Sequence, residues 1–137
     1  MTAEPERPLA PRATILILED DPVLAELIGI YLEGAGYAVL AADDMVRAVE
    51  LAGGHGGPIH LVLSDVFLPG ANPSTIAALF AALPERPRFL YMSGRSLATI
   101  PARFLLVPGA GLVEKPFSER ELIARVRAVL AGAAGHD

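Results

Sequence analysis

The sequence predicts an α/β domain: a doubly wound, five-stranded parallel sheet with helices on both faces. Three observations carry that prediction. The runs Ile15-Leu16-Ile17-Leu18 and Leu61-Val62-Leu63 are apolar without alternation, as strands buried on both faces are. Stretches with apolar residues at helical spacing alternate with strand-like runs along the chain, the pattern of βαβ units. Four of the strand-like runs also end in polar or charged groups: Glu19-Asp20, Asp65, Ser93 and Lys115. In open sheets of this kind ligands bind beyond the carboxyl ends of the strands, so chemistry is expected there.

Residues 1–12 carry Pro5, Pro8 and Pro11 among charges and are expected to form a flexible tail. The first strand covers residues 13–18. Asp21 suits an N-cap and Pro22 the first helical position, where a missing N–H costs nothing. That helix runs to about Gly34, with Val23, Leu24, Leu27, Ile28 and Tyr31 at helical spacing, and Gly34 and Gly36 stop it. Residues 37–42 form a short second strand. Asp43 or Asp44 caps a second helix to about Ala52, with Val46, Val49 and Met45 facing inward. A glycine-rich loop then leads to the strand ending at Asp65. Pro73-Ser74 opens a third helix through Leu83, and residues 88–93 are the fourth strand. Between Ser96 and Gly109, Pro101 and Pro108 limit any helix to a short one. Residues 112–114 make the fifth strand. Ser118 and Glu121 form the capping box of a last helix with Leu122, Val126, Val129 and Leu130 inside. One domain over residues 13–131 results, with a second flexible tail over 132–137.

The 137 residues are one domain's worth, and 53% apolar content argues against disorder. No apolar run approaches the roughly 20 residues that cross a bilayer, and no signal peptide is visible. With no cysteine, disulfides and thiolate metal sites are excluded; a cytoplasmic protein is expected. The net charge of −5 and the lack of a basic stripe argue against nucleic-acid binding, and no DNA-binding output domain is indicated. His55, His60 and His136 are scattered and suggest no ligand set.

If the first and third strands are neighbours, Glu19, Asp20 and Asp65 converge. Such carboxylates repel by several kcal/mol on order-of-magnitude Coulomb grounds unless something compensates. A hard divalent cation, Mg²⁺ for so few carboxylates plus waters, is one compensation, and Lys115 is another. A cation, a lysine and the Ser93 hydroxyl around one aspartate are what phosphoryl transfer to a carboxylate requires.

Four segments, in this order, make the chain resemble the receiver domains of two-component response regulators. They are residues 15–22 with Glu19-Asp20-Asp21-Pro22, Leu63-Ser64-Asp65 with Leu68-Pro69-Gly70, Met92-Ser93-Gly94, and Glu114-Lys115-Pro116-Phe117. The Met-Ser-Gly and Lys-Pro-Phe segments also resemble receivers attached to, or working beside, hybrid histidine kinases. The resemblance implies a flavodoxin-like (β/α)5 receiver fold. It further implies that Asp65 accepts a phosphoryl group from the phosphohistidine of a histidine kinase or histidine phosphotransfer protein. Asp20 and Asp65 would ligate Mg²⁺, with Glu19 helping through water and the backbone carbonyl of Phe67 completing the protein's share. Ser93 would bond a phosphoryl oxygen and Lys115 would pair with it. The peptide before Pro116 would be cis, aiming the lysine. The resemblance implies no enzyme beyond self-catalysed phosphotransfer and autodephosphorylation. It admits a homodimer and leaves the downstream target open.

The chain departs from the family's pattern in places. Leu112 stands where an aromatic switch residue is expected, which puts a rotating-ring account of activation in doubt. The loop Pro69-Gly70-Ala71-Asn72-Pro73 lacks the usual acidic-glycine pair. Phe67 and Arg95 stand where a hydrolytic water would approach, so Phe67 is expected to obstruct it. Two other functions stay open: a degenerate receiver acting as a phosphate-independent interaction module, and a haloacid dehalogenase-like phosphatase. The latter family places Asp-x-Asp after its first strand, and this chain places Glu19-Asp20-Asp21-Pro22 there.

Overall fold

A computed structural model describes residues 12–132; both expected tails, with His136, lie outside the described residues except for Arg12 and Gly132. The chain order is β1 (Thr14–Leu18), α1 (Pro22–Gly34), β2 (Ala38–Ala42), α2 (Met45–His55), β3 (Leu61–Asp65), α3 (Pro73–Ala81), β4 (Arg88–Ser93), β5 (Gly111–Glu114) and α4 (Glu119–Leu130). All four strand pairings are parallel, in the order β2-β1-β3-β4-β5. This is the flavodoxin-like order. The strand order reverses direction between β1 and β3, so their carboxyl ends open the crevice where ligands bind.

Alternation along the strands divides the core into two layers. Leu16, Leu18, Val62, Phe89 and Tyr91 face α2 and α3, where Met45, Ala48, Ala52, Ile76 and Leu79 are buried. Ile15, Ile17, Leu61, Leu63, Leu90 and Met92 face α1 and α4 and meet Ile28, Leu32, Leu122 and Val126. Every side chain from Ile15 to Leu18 is fully buried, as the unbroken apolar run required. Leu63→Ala should therefore cost about 2–5 kcal/mol, measured by chemical denaturation, because a two-sided core closes poorly over the void.

The caps follow the sequence closely. The Asp21 carboxylate accepts from the Val23 and Leu24 N–H groups, and Asp44 caps α2 through the Arg47 N–H. Ser118 and Glu121 form the expected capping box. Asn72, with Thr75, makes a second capping box ahead of Pro73, and α3 ends at Ala81 rather than Leu83. Val46 does not face inward: it is 66% exposed, and α2 turns Met45, Ala48 and Ala52 to the sheet instead. Val23 and Leu27 are likewise exposed, while Ile28 and Leu32 form the buried side of α1.

The crossover between β4 and β5 holds two 3-10 turns, Leu97–Thr99 and Ala102–Phe104. Pro101 separates the turns, as expected of a segment that prolines interrupt. The Val107 N–H donates to the buried Tyr91 hydroxyl at 3.1 Å. Burial pushes that hydroxyl above its ordinary pKa, against the opposing bonds from Val107 and Leu106. His60 is structural: its Nδ1 accepts the Thr14 N–H at 2.9 Å at the start of β1. Among the described residues no helix is long and apolar enough to cross a membrane.

Candidate functional site

Register brings the acids together. Leu18 of β1 pairs with Ser64 of β3, so Glu19-Asp20 and Asp65 leave the sheet side by side at its carboxyl edge. Carboxylate oxygens of Glu19, Asp20 and Asp65 all lie within 4.8 Å of one another. Lys115 enters from β5, two strands away from β3, and its N–H donates to the Ser93 carbonyl at 2.7 Å. The Lys115–Pro116 peptide is cis.

Lys115 Nζ lies 2.8 Å from Glu19 Oε1 and 3.6 Å from Asp65 Oδ2. Burial pulls the ammonium's pKa down, but the hydrogen bond to Glu19 and the charges of Asp65 and Glu19 outweigh it. The net direction is upward, so the lysine stays charged. Glu19 is buried, and both of its oxygens are engaged: Oε1 accepts from Lys115 and Oε2 from the Asp21 N–H at 3.1 Å. A buried carboxylate without such partners would carry a large desolvation cost. Asp20 is exposed and Asp65 partly so.

This donor set fits a hard cation. Its atoms are all oxygens, two carboxylates remain accessible, and the third is already satisfied by a lysine. Both oxygens of Glu19 are thus committed within the protein. Lys115 lies beside Asp65, as the strand ends predict, and closer still to Glu19, which they do not predict.

Ser93 is buried at the end of β4, and its Oγ accepts the Arg95 N–H at 3.0 Å. The Phe67 N–H points back to Asp65 Oδ1 at 3.4 Å, and the Phe67 side chain is exposed. Gly70 takes a positive φ, which turns the loop under α2, where Pro69 O accepts the Met45 N–H. Two residues at the rim escaped the sequence. Phe104 meets the Phe67 ring edge-on at 4.9 Å, and Arg103 lies 4.8 Å from the Phe104 ring. The run Arg103-Phe104 between prolines was the available signal, but nothing in it named Phe67 as the partner.

Residues 15–127 match the family described as the response regulator receiver domain. The uncharacterized transcriptional regulatory protein YrkP of Bacillus subtilis (strain 168) is 35% identical over 116 residues, covering 85% of this chain and 48% of that protein. The DNA-binding response regulator MtrA of Mycolicibacterium smegmatis is 36% identical over 124 residues, with 87% of this chain and 51% of that protein covered. The chain thus spans about half the length of the curated relatives it matches. Among solved structures, the receiver domain of the hybrid histidine kinase CckA superposes with a TM-score of 0.69 at 27% identity, covering 86% of this chain and 99% of that one. With the family match running from β1 into α4 and the acids gathered at the switch point of the sheet, the chain belongs to the response regulator receiver domains of two-component systems.

Proposed function

We propose that the chain is a phosphoacceptor switch in which Asp65 takes a phosphoryl group from the phosphohistidine of a histidine kinase or phosphotransfer protein. The observation that carries this reading is the meeting of Glu19, Asp20 and Asp65 with Lys115 at one edge of the sheet. An Asp65 carboxylate oxygen attacks phosphorus in line, the P–N bond breaks, and its electrons and a proton leave with neutral imidazole. The product is an acyl phosphate, which hydrolysis returns to carboxylate and inorganic phosphate. Asp20, Asp65 and the Phe67 carbonyl would hold Mg²⁺ directly, and Glu19 through water. Bound there, the cation neutralises charge on the transferring oxygens. Lys115 adds a fixed positive charge, and the Ser93 hydroxyl offers a donor to a phosphoryl oxygen.

Incubation with Mg²⁺ and acetyl phosphate should add a phosphate-sized mass to the chain and none to Asp65→Asn. No adduct on the unaltered chain would favour the phosphate-independent interaction module. Rapid turnover of many phosphoesters would favour a phosphatase.

Phe67 narrows the approach to the acyl phosphate. Phe67→Asn should speed loss of the phosphoryl group by on the order of tenfold, equivalent to about 1.4 kcal/mol of barrier. The backbone carbonyl survives the substitution, so Mg²⁺ binding should persist. An unchanged lifetime would remove the shielding role.

A further inference from the structure

The segment between β4 and β5 makes only turn hydrogen bonds of its own, such as Thr99 N–H to the Ser96 carbonyl and Phe104 N–H to the Pro101 carbonyl, and side chains tie it to the rest of the domain. Its two 3-10 turns span three residues each, too few to be self-supporting. Near the acids its ties form one continuous stack. The Arg95 guanidinium lies 5.8 Å from the centre of the Phe67 ring. The Phe67 edge meets Phe104 at 4.9 Å. Arg95 Nη1 also donates to the Thr99 carbonyl at 3.4 Å, joining the first turn to the same group. The stack is rooted beside the phosphoacceptor: the Phe67 N–H reaches Asp65 Oδ1, and the Arg95 N–H reaches Ser93 Oγ. On β5, Leu112 offers no ring to rotate.

Beside this site Arg95 is a cation that no carboxylate holds. Lys115 is held by Glu19, whereas Arg95 is exposed and has no carboxylate partner among the described residues. A ring at 5.8 Å is at the outer limit of a cation–π contact, and 3.4 Å is a long hydrogen bond. A phosphoryl group presents three strong acceptor oxygens, and a guanidinium meets them with paired, charge-assisted donors. The stronger partner wins the side chain.

We propose that Arg95 couples the site to the β4–β5 segment. Resting on the phosphoacceptor reading, phosphorylation of Asp65 draws the guanidinium from Thr99 and Phe67 to the phosphoryl oxygens and releases residues 96–106. By linkage, a partner that binds the released segment stabilises the phosphorylated state.

Amide hydrogen exchange of residues 96–106 tests this, on the full chain with Mg²⁺, with and without phosphoramidate, adduct occupancy being followed by mass. Exchange there should rise by roughly tenfold on phosphorylation, as for a locally opened segment. In Arg95→Ala it should already be raised without the donor and should rise no further, compared at matched occupancy set by donor concentration. Phe104→Leu keeps Arg95 and should still respond. An adduct on the unaltered chain without a change in exchange overturns the inference alone. So does an Arg95→Ala response equal to the unaltered chain's, or a response lost in Phe104→Leu. Absence of any adduct overturns the phosphoacceptor reading and this inference with it.

Discussion

Lys115→Met is expected to destabilise the chain by about 2–3 kcal/mol in the presence of a chelator and to suppress adduct formation at Asp65. Removing one partner of a fully buried ion pair costs roughly 3–5 kcal/mol, because the charge left behind has neither water nor a counter-ion. Glu19 fits that description, its side chain being 2% exposed, but the Lys115 side chain is 23% exposed and water can partly replace it. The lower range follows. Adding Mg²⁺ should restore part of the loss, since a cation among the same oxygens supplies the missing positive charge. The pH dependence has a definite sign. The lysine's pKa is raised in the folded chain, so its contribution is fully present below the ordinary value of about 10.4 and is lost as pH rises through the raised one. Denaturation midpoints of Lys115→Met and the unaltered chain should therefore differ throughout neutral pH and converge only in strong alkali. Equal stability at pH 7 would mean that the pair at 2.8 Å carries little of the fold's free energy.

Asp20→Asn is expected to weaken Mg²⁺ binding by roughly a hundredfold or more. Even an outer-shell partner of a metal ligand shifts affinity by roughly 10–100-fold, and Asp20 is assigned to the inner shell. The residue is exposed, so the fold should be untouched, and a stability gain from reduced repulsion among the acids is consistent with the same geometry. Calorimetric titration with Mg²⁺ checks this. An affinity equal to that of the unaltered chain would place the cation elsewhere. Comparison with Glu19→Gln separates direct from water-mediated ligation, although that variant also disturbs the contact with Lys115.

What the sequence made legible was whatever depends on local pattern or on strand ends. Unbroken apolar runs marked β1 and β3, and Asp21-Pro22 and the Ser118–Glu121 pair marked helix starts. Because strand ends in a doubly wound sheet converge by topology, the acids and Lys115 could be placed without coordinates. Facing was less legible. Hydropathy favoured Val46, yet α2 buries Met45, Ala48 and Ala52. Contacts between distant loops were not legible at all. No periodicity relates Phe104 to Phe67, and none joins the Tyr91 hydroxyl to Val107 across the proline-interrupted segment. The Lys115–Glu19 bond was hidden for another reason: with three acids at the site, spacing does not choose which one the lysine meets most closely.

Asp65 is the carboxylate proposed to take the phosphoryl group. Borohydride reduces an acyl phosphate to an alcohol, so treating the phosphorylated chain with it and mapping the peptides locates the modified carboxylate. Reduction at Asp65, dependent on Mg²⁺ and on the phosphodonor, is the predicted result. Reduction at Glu19, Asp20 or any other acid, with Asp65 intact in a chain that carries the adduct, would contradict it.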